Sequence, residues 1–260
     1  MKAFCINLDR RQDRRDRMWS EFQRLGVEVE RVAAVDGSLP DFTAITASLK
    51  PGASGLRLGP GAYACFQSHR LCWQKLLESG DPHAMVLEDD LIIAEDFARF
   101  LTDGWVPTDA DVVKLETREV RVQLDRRIVP LNRGRYLAQL RSSHFGTGCY
   151  VISAVAAERL HRQTETVLDA IDEVIFDARS PVFRMTRIYQ MVPAPVIQGD
   201  QRPGSSVSAA WAATSINNRF GPGETAGSDE LSLPGRILRR LKAEARAALH
   251  GTRYTFVGHG

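Results

Sequence analysis

The triplet Glu88-Asp89-Asp90 interrupts an apolar run, with Ala84-Met85-Val86-Leu87 before it and Leu91-Ile92-Ile93 after it. Adjacent carboxylates repel one another and need a counter-charge, which a hard divalent cation supplies while bridging the phosphates of a nucleotide. Glu88 and Asp90 are therefore candidate ligands for Mn²⁺ or Mg²⁺, with a polar turn after a strand as the competing reading. Arg10 and Arg14, at the head of an arginine-rich segment, are spaced to point the same way on a helix, although Asp-Arg pairs on a solvated face also account for them. Asp169, Asp172, Glu173 and Asp177 make a second acidic stretch, of which only one or two residues can face inward. Cys65, His69 and Cys72 share one helical face at a metal-ligand spacing. Structural zinc usually takes four ligands gathered by turns, and no fourth is evident, so a buried histidine with one partner is the reading adopted.

The elements that must position these groups follow from hydrophobic periodicity. Residues 84–87 read as a strand buried on both faces, and open α/β sheets bind ligands just beyond the carboxyl ends of such strands. Residues 3–8 predict a first strand feeding an amphipathic helix, whose apolar face is Met18, Trp19, Phe22 and Leu25 and whose stop is Gly26. A second strand is expected over 27–35, ending in the Asp36-Gly37 turn. Residues 38–61, rich in Pro and Gly, read as a long loop of the kind used for lids or binding segments. Helices are expected over 62–77 and 96–101. A buried strand over 110–115 carries Lys114, for which the acidic triplet is the expected partner. Segments 120–124 and 136–140 predict a two-stranded excursion whose arginines face either an anionic substrate or solvent. Gly146-Thr147-Gly148 precedes a strand over 149–152, the glycines suggesting close backbone approach, and Ser153 can cap a helix over 154–163. Short final strands fall at 187–192 and 195–198, with Asp200 just beyond.

A chain of 260 residues, 43% hydrophobic and 25% charged, suits one sizeable α/β domain with an appendage. The formal charge of +2 and the lack of aromatic residues interleaved with the basic ones argue against a nucleic-acid partner. No leader-like start and no run of ~18 apolar residues is present, so a cytoplasmic location is expected. The four cysteines lie apart, which suits reduced core thiols. After Gly199 the composition turns to Gly, Ser, Ala and Pro. Residues 235–249 then recover a helical pattern, with Ile237, Leu238, Leu241, Ala245 and Leu249 beside Arg236, Arg239, Arg240, Lys242 and Arg246. Such a basic amphipathic helix either docks on its own domain or lies on an anionic membrane surface, here the inner membrane face.

Taken in order, Ile6-Asn7-Leu8, Asp13-Arg14-Arg15, Ala34-Val35-Asp36-Gly37, Ser68-His69, Leu87-Glu88-Asp89-Asp90, Lys114-Leu115 and Tyr150-Val151-Ile152-Ser153 resemble glycosyltransferase family 25. The resemblance implies a GT-A-like α/β fold, with a mixed, mostly parallel central sheet flanked by helices. It would occupy residues 1–207, with a nucleotide-binding half over about 1–116 and an acceptor half over about 117–207. An irregular segment, 208–234, and the basic helix and tail, 235–260, would follow. The resemblance also implies an inverting transfer of galactose or a related hexose from a UDP-sugar to a bacterial lipopolysaccharide, glycolipid or other surface glycan. By the resemblance Asn7 and Arg14 would lie on the donor side and Glu88 and Asp90 would take the metal and sugar-nucleotide role; Lys114, by its own chemistry, either assists the donor phosphate or holds the acidic motif. Gly148 stands where many members carry His. Deprotonating the acceptor hydroxyl needs a carboxylate apart from the metal cluster, and Asp172 is the expected base, with Asp177 and Asp200 as rivals. Clustered carboxylates also suit a metal-dependent phosphohydrolase, and arginines that hold phosphate without turnover would make a nucleotide- or glycan-binding module.

Overall fold

A computed structural model describes residues 1–53, 55–102, 104–199, 244, 247, 248 and 251–260. Strand β1 (Lys2–Asn7) runs parallel to β3 (His83–Leu87), and both alternate their side chains between two cores. Phe4, Ile6, Ala84 and Val86 enter one core, and Ala3, Cys5, Met85 and Leu87 the other. With a period of two and both faces covered, every position must be apolar, which explains the unbroken runs. Helix α1 (Gln12–Leu25) lays Met18 and Phe22 on the second core and stops at Gly26, whose φ of 66° suits glycine. Strand β2 (Glu30–Ala33) pairs parallel with β1 and is shorter than the expected 27–35. Helix α3 (Pro60–Ser79) covers the first core with Phe66, Cys72, Trp73 and Leu76.

The expected loop over 38–61 contains helix α2 (Pro40–Ser48), opened by a proline in its first turn. After the acidic triplet the chain leaves the main sheet. Strand β4 (Leu91–Ile93) belongs to a small separate sheet, and a 3-10 helix over Phe97–Leu101 follows. Next come β5 (Val112–Lys114), β6 (Glu116–Thr117), β7 (Arg121–Pro130), β8 (Tyr136–Leu140), β9 (Cys149–Ser153) and α4 (Ala154–Gln163). Ser153 caps α4 as expected, accepting from the Ala156 amide at 3.2 Å. Helices α5 (Ile171–Phe176) and α6 (Pro181–Met185) precede β10 (Ile188–Val192) and β11 (Val196–Gln198). The last strand is β12 (Thr252–Phe256).

Among the described residues the main sheet has nine strands in the order β12-β7-β8-β10-β5-β9-β3-β1-β2. It is mixed. Pairs β1–β2, β1–β3 and β5–β10 are parallel, whereas β9 runs antiparallel to both β3 and β5. The small sheet, β4-β11-β6, adjoins the carboxyl ends of β3 and β5.

Two expectations about the periphery are corrected. Strands β7 and β8 extend the main sheet instead of forming a separate excursion, because β8 pairs with β10 along Tyr136–Gln139. Of the two destinations expected for the arginines of this hairpin, solvent fits Arg121, which pairs with Glu244 at 3.1 Å, and Arg141 just beyond β8, which pairs with Asp125 at 2.8 Å; neither lines the ligand cavity described below. The chain terminus, read as a tail, supplies β12, which pairs antiparallel with β7. Of the basic helix expected over 235–249, Glu244, Ala247 and Ala248 are described and helical, and Ala247 is buried. The rest of that helix, the segment 208–234 and Asp200 lie outside the described residues. Among the described residues no helix is long and apolar enough to cross a membrane.

Candidate functional site

Register brings the site together. Because β1 and β3 are parallel with Cys5 opposite Leu87, Asn7 at the end of β1 and the acidic triplet that follows β3 come side by side. The triplet divides its work. Asp89 turns inward, accepting from Asn7 Nδ2 at 2.6 Å and Arg14 Nη1 at 3.0 Å. Burial raises its pKa above the ordinary carboxylate value, against the pull of Arg14 and Asn7. Arg14 also reaches Asp90 at 3.4 Å, and the Asp90 carbonyl accepts from the Gly199 amide where the two sheets meet. Glu88 turns the other way. It accepts from the Thr147 hydroxyl at 2.7 Å and from Gln198 Nε2 at 3.1 Å, and His69 Nε2 lies 3.4 Å off. Burial pushes Glu88 up, yet His69, Thr147 and Lys114 outweigh it and hold the carboxyl below its ordinary value.

Glu88, Asp89 and Asp90 line a cavity of about 480 Å³ together with Arg10, Arg14, Arg118 and Asp172. Asp172, nearly buried at the start of α5, accepts from the Gly146 amide at 3.3 Å, one residue from the Thr147 that holds Glu88. The same short loop therefore touches both Glu88 and the expected base. Asn7 lies beneath the floor as a support for Asp89 and does not line the cavity. Asp177 is elsewhere, tied to Arg179 and Ser143.

Lys114 corrects the expectation that it meets the triplet. Its ammonium lies 3.1 Å from Glu116, donates to the Gly146 carbonyl and sits 4.2 Å from the Phe176 ring centre. Positions 114 and 116 of an extended chain share a face, so the sequence carried this signal in its Lys-x-Glu spacing. Glu116 and the neutral Thr147 were missed as site-building residues, and only tertiary contact brings Gln198 against Glu88. Glu116 also accepts from the Gly148 amide at 2.9 Å. Gly146, at φ 96°, would put a Cβ 2.5 Å from Glu116 Oε1, and a Cβ on Gly148 would meet Leu91 at 2.9 Å. The positive φ and the close approach of Glu116 therefore favour glycine at 146, whereas a side chain at 148 would have to displace the end of the Leu91 side chain.

A neutral histidine braces this layer. The Arg118 amide donates to His144 Nε2 at 3.4 Å, so the ring proton lies on Nδ1 and goes to Gln190 Oε1 at 2.7 Å. Gln190 Nε2 in turn faces the carbonyls of Lys114 and Glu116. Burial first, and Lys114 second, hold the His144 pKa down to about 3. The unfolded chain takes up this proton below its ordinary value of 6.5 and the folded chain does not, so the contribution is full above that pH and lost as pH falls toward 3. Urea unfolding should show this group removing about 1.4 kcal/mol per pH unit below pH ~6.5, and His144→Gln should flatten the slope. Equal slopes in the two proteins would clear His144 of the effect.

The sequence model of glycosyltransferase family 25, described as LPS biosynthesis protein, matches residues 1–175. The chain belongs to glycosyltransferase family 25. Lipooligosaccharide biosynthesis protein lic2B of Haemophilus influenzae is 29% identical over 209 residues, 76% of either chain. Lacto-N-neotetraose biosynthesis glycosyltransferase LgtB of Neisseria meningitidis is 32% identical over 165 residues, 60% of this chain and 59% of that one. Procollagen galactosyltransferase 1 of Danio rerio is 30% identical over 173 residues, 62% of this chain and 28% of that one. As a family 25 glycosyltransferase the chain takes a nucleotide-sugar donor and a glycan acceptor, and the phosphohydrolase and binding-module readings give way. The family match covers the acidic triplet, the Gly146–Gly148 loop and Asp172 and stops before Gln198.

Proposed function

We propose that this family 25 enzyme is a metal-dependent, inverting transferase that moves galactose or a related hexose from a UDP-sugar to a bacterial lipopolysaccharide or other surface glycan. The observation that carries the reading is one cavity lined by Glu88 and Asp90 and also by Asp172. Transfer with inversion needs two separate functions: charge neutralisation at the departing diphosphate and proton removal at the acceptor hydroxyl. The residue types fit a hard divalent cation, since Glu88 and Asp90 both line the cavity with carboxylate side chains, while Asp89, which also lines it, accepts from Asn7 and Arg14. A bound Mn²⁺ or Mg²⁺ would neutralise charge on the diphosphate. Arg10, Arg14 and Arg118, which line the same cavity, would add positive charge toward the diphosphate, and Asp172 would accept the acceptor's proton. Galactose and lipopolysaccharide are favoured by what the relatives are named for.

Incubation with UDP-galactose, Mn²⁺ and oligosaccharide acceptors should release UDP in step with glycan product. In a thermal-shift screen, UDP-galactose with Mn²⁺ at about 100 times its Kd should stabilise the protein by about 2.7 kcal/mol. Glu88→Ala with Asp90→Ala should abolish the Mn²⁺-dependent part. A donor shift that is identical in the double variant, or indifferent to Mn²⁺, would sink the metal assignment.

A further inference from the structure

We propose that Cys65, His69 and Glu88 form a site for a borderline-soft divalent cation, Zn²⁺ above all, at the edge of the donor cavity and distinct from the all-oxygen pair Glu88 and Asp90. It is the group of potential ligands that the described residues bring together: Cys65 Sγ, one His69 ring nitrogen and one Glu88 oxygen all lie within 4.8 Å of one another. The sequence placed Cys65 and His69 one helical turn apart on α3 and offered Cys72 as a third. Cys72 instead packs in the hydrophobic core, and the third ligand comes from the end of β3.

Geometry and an unsatisfied atom both point to a cation. Tetrahedral zinc with bonds of about 2.0–2.1 Å to nitrogen and oxygen separates those two atoms by about 3.4 Å. His69 Nε2 and Glu88 Oε1 stand 3.4 Å apart. The His69 side chain is fully buried, yet its Nε2 makes no well-formed hydrogen bond, an arrangement that costs free energy unless something else takes the lone pair. The opposite ring nitrogen, Nδ1, lies 3.0 Å from the Tyr150 hydroxyl, which also accepts from Trp73 Nε1 at 2.9 Å. That outer contact holds the ring in the orientation a metal-binding imidazole needs: in the tautomer that takes a metal, Nδ1–H would donate to Tyr150 and the Nε2 lone pair would face Cys65 and Glu88. Cys65, His69 and Glu88 all line the cavity, so a fourth position is open to water or ligand.

The donor set selects the metal. A thiolate and an imidazole favour Zn²⁺ over Mn²⁺ or Mg²⁺, which prefer oxygen. Binding expels the Cys65 thiol proton to solvent and leaves a thiolate–metal bond. Because Glu88 belongs to both sets, Zn²⁺ at this position competes with the hard cation for one carboxylate.

The test uses the full chain without donor, so its outcome is independent of the transfer reaction. Co²⁺ titrated into the protein should produce a cobalt–thiolate charge-transfer band with the visible absorption of four-coordinate cobalt, and stoichiometric Zn²⁺ should erase it. Cys65→Ser should abolish the band and weaken Zn²⁺ binding by about 10²-fold, at least what loss of an outer-sphere partner costs such sites. Cys72→Ser should keep the band. No thiolate band in the unaltered protein, or a band that persists in Cys65→Ser, would overturn the site; unchanged far-ultraviolet circular dichroism of Cys65→Ser confirms that the variant is folded.

Discussion

Replacing Asp172 by Asn should slow sugar transfer by about 10²–10⁴-fold, the contribution of a positioned general base, while Mn²⁺-dependent donor binding stays within a few-fold of the parent. The substitution is nearly isosteric, and the amide oxygen can still accept from the Gly146 amide that now meets Asp172 Oδ2 at 3.3 Å. What disappears is the proton acceptor. The loss should therefore fall on kcat and spare the donor KM, because Asp172 contacts the loop beside Glu88 and is not one of the two carboxylates proposed to hold the metal. Asp177 supplies the contrast. Burial raises its pKa, but Arg179 and Ser143 outweigh burial and hold the carboxyl below its ordinary value, and it does not line the cavity. Asp177→Asn should leave kcat within about tenfold, since it removes no group in reach of the acceptor hydroxyl. If the two variants exchange these effects, the base is not Asp172.

Legibility followed period and chain distance. Strands β1 and β3 and helices α1, α3 and α4 were readable because each buries a repeating set of apolar positions, and the acidic triplet stood out because it breaks such a set. Helix α2 was not readable: it buries only Thr46 and leaves Ile45 exposed, so no apolar stripe distinguishes Pro40–Ser48 from a loop. Strand β12 was hidden for another reason. It pairs with β7, whose Asp125 lies opposite Thr252, and nothing local records so distant a partner. The site divides along the same line. Arg14, Glu88, Asp90 and Asp172 announce themselves by charge and are brought to one cavity. Thr147 and Gln198, which hold Glu88 in place, carry no charge, and their spacing to it exists only in the fold.

Glu116→Ala should destabilise the protein by about 3–5 kcal/mol in urea unfolding, because it leaves the fully buried Lys114 ammonium without its carboxylate. Glu116 is itself held above its ordinary pKa by burial, with Lys114 opposing, so neither charge is comfortable alone. Replacing both, as Lys114→Met with Glu116→Leu, should recover most of that stability, since well-packed apolar side chains often match a buried ion pair. Activity should not return with it. Lys114 holds the Gly146 carbonyl and Glu116 the Gly148 amide, and the residues between these anchors position Asp172 through Gly146 and Glu88 through Thr147. A pair kept only for stability would let the double variant transfer sugar at the parental rate. A pair kept to set the loop predicts a folded protein with a rate lowered by about tenfold or more, because a small misplacement of a catalytic group can cost about 10²-fold. Stability and rate measured on the same double variant separate the two roles.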